Sequence, residues 1–210
     1  MDRADAGYKP YDKPFKSQKG DRDMDVLMVN GSRRAKGCTY TALTIVGDAL
    51  REQGIESQII HVTDEGAVDA ALAALDTADG LVLGTPVYWA SPTGEIEVFL
   101  DQLWGRVKRS QLAGKPCAVL ASARRAGTTS AIDDLAKYPT YAEMPLVSSF
   151  YWNMVHGNTP AEVLRDEEGV AIVRQLGRNM AWLLKSIEAG KLAGLELPDL
   201  PAFNRTNFIR

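Results

Sequence analysis

Short apolar runs and amphipathic stretches alternate along this chain. The apolar runs predict five strands, at 26–29, 57–62, 80–83, 117–121 and 146–150. Between and after them, apolar residues recur at helical spacing. This spacing predicts helices that begin near Thr39 and that span 67–75, 95–108, 131–137 and 170–188, with an irregular segment at 157–169. Ser91 is the expected N-cap of the helix over 95–108, with Pro92 at its first position.

The predicted strands and helices follow one another in strict alternation. Such alternation indicates an α/β fold in which helices cover both faces of a parallel sheet, a three-layer sandwich. Right-handed crossovers between five strands favour the flavodoxin-like strand order 2-1-3-4-5. In this fold, ligands bind beyond the carboxyl ends of the strands, where the order switches between strands one and three. We therefore expect the loops after strands one, three and four to meet at one site.

The sequence divides into one central domain and two terminal segments. Residues 1–23 are polar and interrupted by proline, but they carry Tyr8, Tyr11 and Phe15. They are either a disordered tail or an arm that lays its aromatic side chains on the body or on a neighbouring subunit, and we favour the arm. Residues 24–190 form the predicted domain, and the proline-interrupted residues 191–210 form a C-terminal tail.

Composition narrows the range of partners and of metal chemistry. The chain has 210 residues, a formal net charge of -3 and a pI near 5.5, which argues against nucleic acid or a membrane surface as its main partner. No apolar run approaches a membrane span and the N-terminus has no apolar signal region, so we expect a cytoplasmic protein. Two cysteines and two histidines indicate neither a disulfide framework nor a metal site.

The loop after the first strand has the composition of an anion-binding site. It runs through Asn30, Gly31 and Ser32 into cations and small residues before the helix near Thr39. The N–H groups and the positive dipole end of such a helix suit a phosphate. The loop lacks the lysine of a P-loop and the glycine spacing of a dinucleotide fingerprint, so its hydroxyl donors favour a terminal monophosphate. An ordinary basic turn is the alternative interpretation.

Two further loops have unusual compositions. The loop at 84–94 includes Thr85-Pro86-Val87-Tyr88-Trp89, which places two aromatic residues on a proline-stiffened segment. Beside a phosphate, these aromatic residues suit a flat ring joined to it, unless they cap the sheet or lie in a subunit contact. The loop at 122–129 combines small residues with Arg124 and Arg125. It closes the far side of the ring, docks a nucleotide phosphate, or is a solvated basic turn.

The loops after the first and third predicted strands, together with a segment of the helix that follows the second of them, carry a family resemblance. Three segments resemble the NADPH-dependent FMN reductase family of flavodoxin-like proteins: Gly31-Ser32-x-Arg34-x-x-Gly37-x-Thr39, Thr85-Pro86-Val87-Tyr88-Trp89 and Phe99-Leu100-Asp101. The chain is close to the branch of iron–sulfur flavoproteins and multimeric quinone reductases, and the resemblance covers roughly residues 25–190. It implies FMN as cofactor, NAD(P)H as co-substrate and assembly into a homodimer or homotetramer.

The resemblance also implies which residues contact the cofactor. The phosphate would be held by Ser32, Arg34, Cys38, Thr39 and Thr41. The isoalloxazine would be lined by Pro86, Val87, Tyr88 and Trp89, and the site closed by Ser122, Ala123 and Gly127. Tyr40 and Arg124 complete the predicted cofactor-binding set. The chain departs from the family at Cys38, where asparagine is frequent, and at Glu97, where lysine is common, and it lacks the cysteines of an iron–sulfur cluster.

These observations lead to the hypothesis of an FMN-dependent oxidoreductase. It would take hydride from NAD(P)H and pass electrons to a quinone, free flavin or other small acceptor, with the flavin supplying the chemistry. This transfer requires no catalytic acid or base. His156 is a candidate for contacting substrate, although a structural function fits equally, and His61 is expected to be structural. The alternatives are an FMN-binding electron carrier without an NAD(P)H site and a flavin-binding regulatory or interaction module.

Overall fold

The computed structural model describes residues 24–200 and shows one parallel sheet between two layers of helices. Its strands are β1 (Asp25–Asn30), β2 (Glu56–His61), β3 (Gly80–Pro86), β4 (Cys117–Ala123) and β5 (Met154–His156). They lie in the order β2-β1-β3-β4-β5, so the predicted flavodoxin-like fold class and strand order are confirmed. The predicted arm at 1–23 and the end of the predicted C-terminal tail lie outside the described residues.

Helices cover both faces of this sheet. Within residues 24–200 they are α1 (Cys38–Arg51), α2 (Ala67–Leu75), α3 (Gly94–Trp104), α4 (Arg109–Leu112), α5 (Thr128–Tyr141), α6 (Pro160–Val163) and α7 (Glu167–Leu192). The core divides into a cluster under α1, α6 and α7 and a cluster under α2, α3 and α5. This burial of both faces explains why each central strand contains a continuous apolar run. None of these helices is both long and apolar enough to cross a membrane.

The fifth strand is placed wrongly by the apolar pattern. The pattern predicts a strand at 146–150, but the structure forms β5 at Met154–His156. Leu146 makes an isolated parallel bridge to Cys117, and the chain then leaves the sheet. The aromatic residues at 150–152 are exposed, so this run is apolar in composition without being a buried strand.

Asn153 closes the gap between the two contacts with β4. Its side-chain amide donates to the carbonyl groups of Val119 (2.9 Å) and Val147 (3.3 Å). Its own carbonyl accepts from the N–H of Ala121 (3.0 Å). At this edge of the sheet, hydrogen bonds of a polar side chain thus replace hydrogen bonds between two strand backbones. Hydrophobic periodicity does not reveal such an arrangement.

Several helix boundaries also differ from the predicted ones. The N-cap of α3 is Thr93, whose Oγ1 accepts from the N–H of Ile96 (3.3 Å). Ser91, the expected cap, instead pairs with Tyr88 in a tight turn. The structure begins α5 at 128 rather than 131 and α7 at 167 rather than 170, and it ends α3 at 104 rather than 108. The segment at 157–169, predicted to be irregular, contains α6.

Candidate functional site

A cleft of 170 Å³ lies beyond the carboxyl ends of β1, β3, β4 and β5. It is at the point where the strand order switches direction, which is where open α/β sheets bind ligands. Its lining is Ser32, Arg34, Cys38, Thr39, Pro86, Val87, Tyr88, Ser122, Ala123, Arg124, Gly157 and Asn158. The three loops predicted from the sequence therefore meet at one place, and a fourth loop joins them.

A larger groove of 570 Å³ lies at the opposite end of the sheet. It is lined by the starts of strands and by exposed residues of the C-terminal tail such as Leu195 and Leu197. This groove lacks the combination of hydroxyl groups, cations and an open helix N-terminus that the smaller cleft contains. We therefore assign the site by its chemistry and not by its volume.

Asn30, fully buried at the end of β1, shapes the first loop. Its Oδ1 accepts from the N–H of Ser32 (3.1 Å), and its Nδ2 donates to the carbonyl of Ala35 (3.3 Å). The hydroxyl of Ser32 in turn accepts from the N–H of Arg34 (3.1 Å). The loop conformation is thus held by side chains within the loop and at its entrance.

Gly31 seats this loop against the neighbouring strand. Its N–H donates to the carbonyl of Gly84 in β3 (2.8 Å). A Cβ at this position would lie 2.8 Å from Ile96 and 2.9 Å from the same carbonyl oxygen, closer than real Cβ contacts. Close approach of two backbones therefore requires glycine here.

The amino-terminal turn of α1 faces the site without a side-chain cap. Its N-cap residue is Gly37, and no side chain accepts a hydrogen bond at this cap. Uncapped first-turn N–H groups and the positive end of the helix dipole favour an anion. Arg34 lines the same cleft, and no carboxylate among residues 24–200 forms an ion pair with it. Its charge is therefore available to a ligand.

Two buried hydroxyl groups join the first and third loops. Oγ1 of Thr39, on α1, lies 2.8 Å from Oγ of Ser122, at the end of β4. One hydroxyl donates to the other, which leaves a single O–H free to donate into the cleft that both side chains line. The pair therefore offers a ligand one well-placed donor.

The second loop is a tight turn in an unusual conformation. The backbone groups of Tyr88 and Ser91 exchange two hydrogen bonds, each of 3.0 Å. Between them, Trp89 (φ 54°) and Ala90 (φ 63°) lie in the left-handed region, which costs a non-glycine residue about 1–2 kcal/mol. The turn places Tyr88 in the cleft lining and leaves Trp89 98% exposed at its tip.

Contacts with the other loops hold this turn in place. Gly127 (φ 99°) approaches it so closely that a Cβ there would be 2.7 Å from Val87 and 2.8 Å from Ala90.

On the first loop, Arg33 forms an ion pair with Glu95 at the start of α3. Burial opposes ionisation of Glu95, but hydrogen bonds from Arg33 and from the backbone outweigh it and lower the pKa of this carboxyl.

The thiol of Cys38 adds no negative charge at the N-terminus of α1. Burial raises the pKa of its thiol, against smaller opposing effects of a backbone N–H and of Arg34. The thiol donates to the carbonyl of Gly157 (3.6 Å). Because a neutral thiol does not repel an anion, Cys38 is compatible with the phosphate position that the resemblance implies.

The loop after β5 is the part of the site that sequence reasoning missed. Gly157 and Asn158 line the cleft, and the N–H of Asn158 donates to the carboxylate of Glu162 (2.5 Å). The available signal was a glycine–asparagine pair directly after a short apolar segment. Because the sequence predicts the fifth strand at 146–150, this pair does not stand at the end of a predicted strand.

His156 lies beside the cleft and not in its lining. Its backbone N–H donates to Asp166 (2.6 Å), and its Nδ1 donates to the carbonyl of Ala123 (3.2 Å). The side chain is exposed, and Nε2 is its remaining polar atom. Contact between His156 and a substrate stays a prediction.

Part of the predicted cofactor-binding set does not line the cleft. Tyr40 instead stacks on His61, with ring centroids 5.8 Å apart. The hydroxyl of Thr41 donates to the backbone of the turn before it (3.1 Å). Trp89 lies at the tip of the second loop, and Gly127 packs against Val87 and Ala90 of that loop. Contact of these four residues with a cofactor also stays a prediction.

The fold and the cleft define a flavodoxin-like protein with a cleft at the switch point of its sheet, where this class of fold binds its ligands. Comparison with known families identifies the class more closely. The model of the NADPH-dependent FMN reductase family matches residues 24–159, and the chain belongs to this family. It is therefore a flavin-dependent oxidoreductase, and its cofactor is FMN.

Relatives agree with this assignment. The chain is 25% identical over 192 residues to the iron–sulfur flavoprotein MJ1083 of Methanocaldococcus jannaschii, covering 79% of this chain and 100% of that protein. The structure of RosB with a bound 8-demethyl-8-formylriboflavin-5'-phosphate intermediate has a TM-score of 0.65 at 17% identity, covering 89% of this chain and 92% of that one. The Flv1 flavodiiron core of Synechocystis sp. PCC6803 has a TM-score of 0.60 at 16% identity, covering 78% of this chain but 36% of that one. The two solved structures show the shared fold.

Proposed function

We propose that this protein transfers hydride from NAD(P)H to FMN held in the cleft, and passes the electrons on to a quinone, a free flavin or another small acceptor. The observation that carries the proposal is the uncapped N-terminus of α1 beside Ser32, Arg34 and the Thr39–Ser122 pair. A terminal phosphate presents several oxygens, and these groups offer it backbone, hydroxyl and guanidinium donors together.

The second loop suits the planar part of the cofactor. Pro86, Val87 and Tyr88 line the cleft, which gives a flat ring apolar and aromatic neighbours. The N–H groups of Val87 and Tyr88 are already used, since they donate to the carbonyls of Ser122 and Ser91 (3.0 Å each). Any donor to the polar edge of the ring would therefore come from elsewhere in the turn.

FMN, when bound, supplies the acceptance of hydride and the release of electrons. The residues of this chain bind it, orient its ring and limit access of water. Arg124, at the rim of the cleft, is the cation that we assign to the negatively charged co-substrate. The proposal includes no iron–sulfur cluster, because a cluster takes four cysteine ligands and the sequence holds Cys38 and Cys117 alone.

An absorption spectrum and an FMN titration test the binding part of the proposal. We expect flavin absorption bands after reconstitution with FMN, and quenching of flavin fluorescence on binding. Arg34→Gln should raise the Kd for FMN about tenfold, since a charge-assisted hydrogen bond is lost. Arg125→Gln is the matched control, because Arg125 lies in the third loop outside the cleft lining and its loss should leave the Kd unchanged. A protein that is colourless after incubation with excess FMN and removal of the free flavin would contradict the proposal.

Anaerobic mixing tests the reaction. Rapid bleaching of the bound flavin by NADPH or NADH, followed by recovery of colour on adding a quinone, is the expected result. Binding of FMN without bleaching by either nucleotide would favour an electron carrier instead. Assembly into a homodimer or homotetramer is also part of the proposal, and light scattering after size-exclusion chromatography measures it.

A further inference from the structure

Asn30, whose hydrogen bonds shape the loop at 31–37, also contacts a histidine that lies outside the cleft. His61 is the last residue of β2 and lies opposite Asn30 in the sheet register. Its Nδ1 is 2.8 Å from Nδ2 of Asn30. Asn30 is fully buried, and it is the residue whose amide holds Ser32 and Ala35 in place.

The orientation of the Asn30 amide follows from its two backbone partners. The N–H of Ser32 can only donate, so the atom facing it at 3.1 Å is the amide oxygen. The carbonyl of Ala35 can only accept, so the atom facing it at 3.3 Å is the amide nitrogen. The group that Asn30 presents to His61 is therefore an N–H donor.

This donor selects the tautomer of His61 that fits the contact. In this contact Nδ1 of the ring can only accept, so the tautomer that fits it carries the ring proton on Nε2. A doubly protonated ring would turn an N–H of its own toward the N–H of Asn30. Rotating the Asn30 amide does not relieve this conflict, because its nitrogen would then face the N–H of Ser32 and its oxygen the carbonyl of Ala35.

The charged and titratable groups around His61 form no ion pair with its ring within residues 24–200. The titratable group that α1 stacks on it is the phenol of Tyr40, with centroids 5.8 Å apart and planes 26° apart. Further along α1, Asp48 and Arg51 pair with each other. Asp64, after β2, reaches His61 through backbone atoms, its N–H donating to the His61 carbonyl (3.1 Å). Within residues 24–200 no carboxylate is hydrogen-bonded to the ring.

We propose that His61 is a positioning residue for the cofactor phosphate, acting through Asn30 on the loop at 31–37. This inference rests on the proposed function. The neutral ring accepts from Asn30 and so keeps the amide in the orientation that holds Ser32 and Ala35. Protonation of the ring breaks that contact and loosens the loop. Binding of the FMN phosphate and protonation of His61 therefore oppose each other, although His61 does not line the cleft.

The Kd for FMN, measured by quenching of flavin fluorescence from about pH 8 to about pH 5.5, tests the coupling. The phosphate of FMN itself titrates near pH 6, so the informative quantity is the difference between variants. His61→Asn places an amide oxygen where Nδ1 lies and cannot become charged. We expect it to bind FMN as the natural protein does at high pH, and about tenfold more tightly than the natural protein at the acid end.

Two further variants separate positioning from folding and from the other histidine. His61→Phe keeps a ring against Tyr40 but provides no acceptor, so it should bind FMN more weakly at every pH and lose the histidine-dependent acid step. His156→Asn should keep that step. If His61→Asn weakens with falling pH as much as the natural protein does, or if His156→Asn removes the step, His61 is not the group responsible.

Nitrogen-15 NMR of labelled histidine gives a readout independent of activity. With two histidines in the chain, both rings are assignable by substitution. His61 should show an unprotonated Nδ1 and a protonated Nε2 at pH 8, and FMN should lower the pH at which the ring gains its second proton. FMN binding together with a protonated Nδ1 would overturn the positioning proposal alone. Failure of FMN to bind at every pH would overturn the proposed function as well.

Discussion

The guanidinium of Arg33 lies 5.6 Å from the centroid of the Tyr88 ring. Arg33 belongs to the loop after β1 and Tyr88 to the loop after β3, so this cation–π contact joins two loops of the site. The same guanidinium forms an ion pair with Glu95 at the start of α3. Glu95 thereby holds Arg33 over a ring that lines the cleft, without lining the cleft itself.

Replacing Glu95 by glutamine should destabilise the protein at neutral pH but not in acid. The folded-state pKa of Glu95 is lowered from 4.5. Its stabilisation is therefore fully present above that ordinary value and is lost as the pH falls through the lowered one. Because the pair is partly exposed, we expect a difference below about 1 kcal/mol at pH 7. Urea unfolding of both proteins from pH 7 down to about pH 3 measures it.

Glu97→Gln is the control for this prediction. Glu97 lies in the same first turn of α3, and no ion pair of Glu97 is present in the described part of the chain. Its loss should change stability less, and with a smaller dependence on acid. A Glu95→Gln effect that persists unchanged at about pH 3 would show that the ion pair is not its source.

Thr39→Val should weaken both the fold and FMN binding. The substitution keeps the shape of the side chain but leaves the buried hydroxyl of Ser122 without its partner at 2.8 Å. An unpaired buried hydroxyl costs about 1–3 kcal/mol. Thr44→Val is the matched control on the same helix, because the Thr44 hydroxyl donates to a backbone carbonyl (2.9 Å) that already lies within the helix. Equal losses in the two variants would contradict the importance of the Thr39–Ser122 pair.

Gly31→Ala should be strongly destabilising, by about 1–3 kcal/mol, because the added methyl group overpacks a close backbone contact. The new Cβ would lie 2.8 Å from Ile96 and 2.9 Å from the carbonyl oxygen of Gly84. Gly94→Ala is the control, since no atom outside the adjoining residues and the helix backbone lies within 4 Å of the position its Cβ would take. Thermal unfolding should show a lower Tm for the first variant and an unchanged or higher Tm for the second. Similar effects at both positions would mean that close packing at Gly31 is not decisive.

Ala90→Gly should stabilise the protein, by about 1 kcal/mol at most, because glycine adopts the left-handed conformation without steric cost. Ala90 has φ of 63° in the turn after β3. Ala70→Gly, at an exposed position inside α2, should do the opposite and destabilise by about 1 kcal/mol. Chemical denaturation compares the two. A destabilised Ala90→Gly variant would indicate that the turn is not strained at this residue.

Burial on both faces decided how much of the fold could be predicted. The central strands β1, β3 and β4 each contain a continuous apolar run, so their positions follow directly from the sequence. At the β5 edge of the sheet this signal fails, because β5 has only 3 residues and shows no extended apolar pattern. The run at 146–150 has the composition of a strand, yet the short segment Met154–His156 pairs with β4, and the Asn153 side chain bridges the two.

The amino-acid sequence was sufficient for the fold class, the strand order and three of the loops that form the site. These features depend on local periodicity, on the handedness of crossovers and on the convergence of strand ends, and all three follow from general rules. The structure alone decided which side chains reach the cleft, that the loop carrying Gly157 and Asn158 joins it, and that His61 is linked to the first loop. The contacts of Thr39 with Ser122 and of Asn30 with His61 join residues far apart in the chain. They depend on strand register and on ångström-scale approach, and neither is contained in a local pattern.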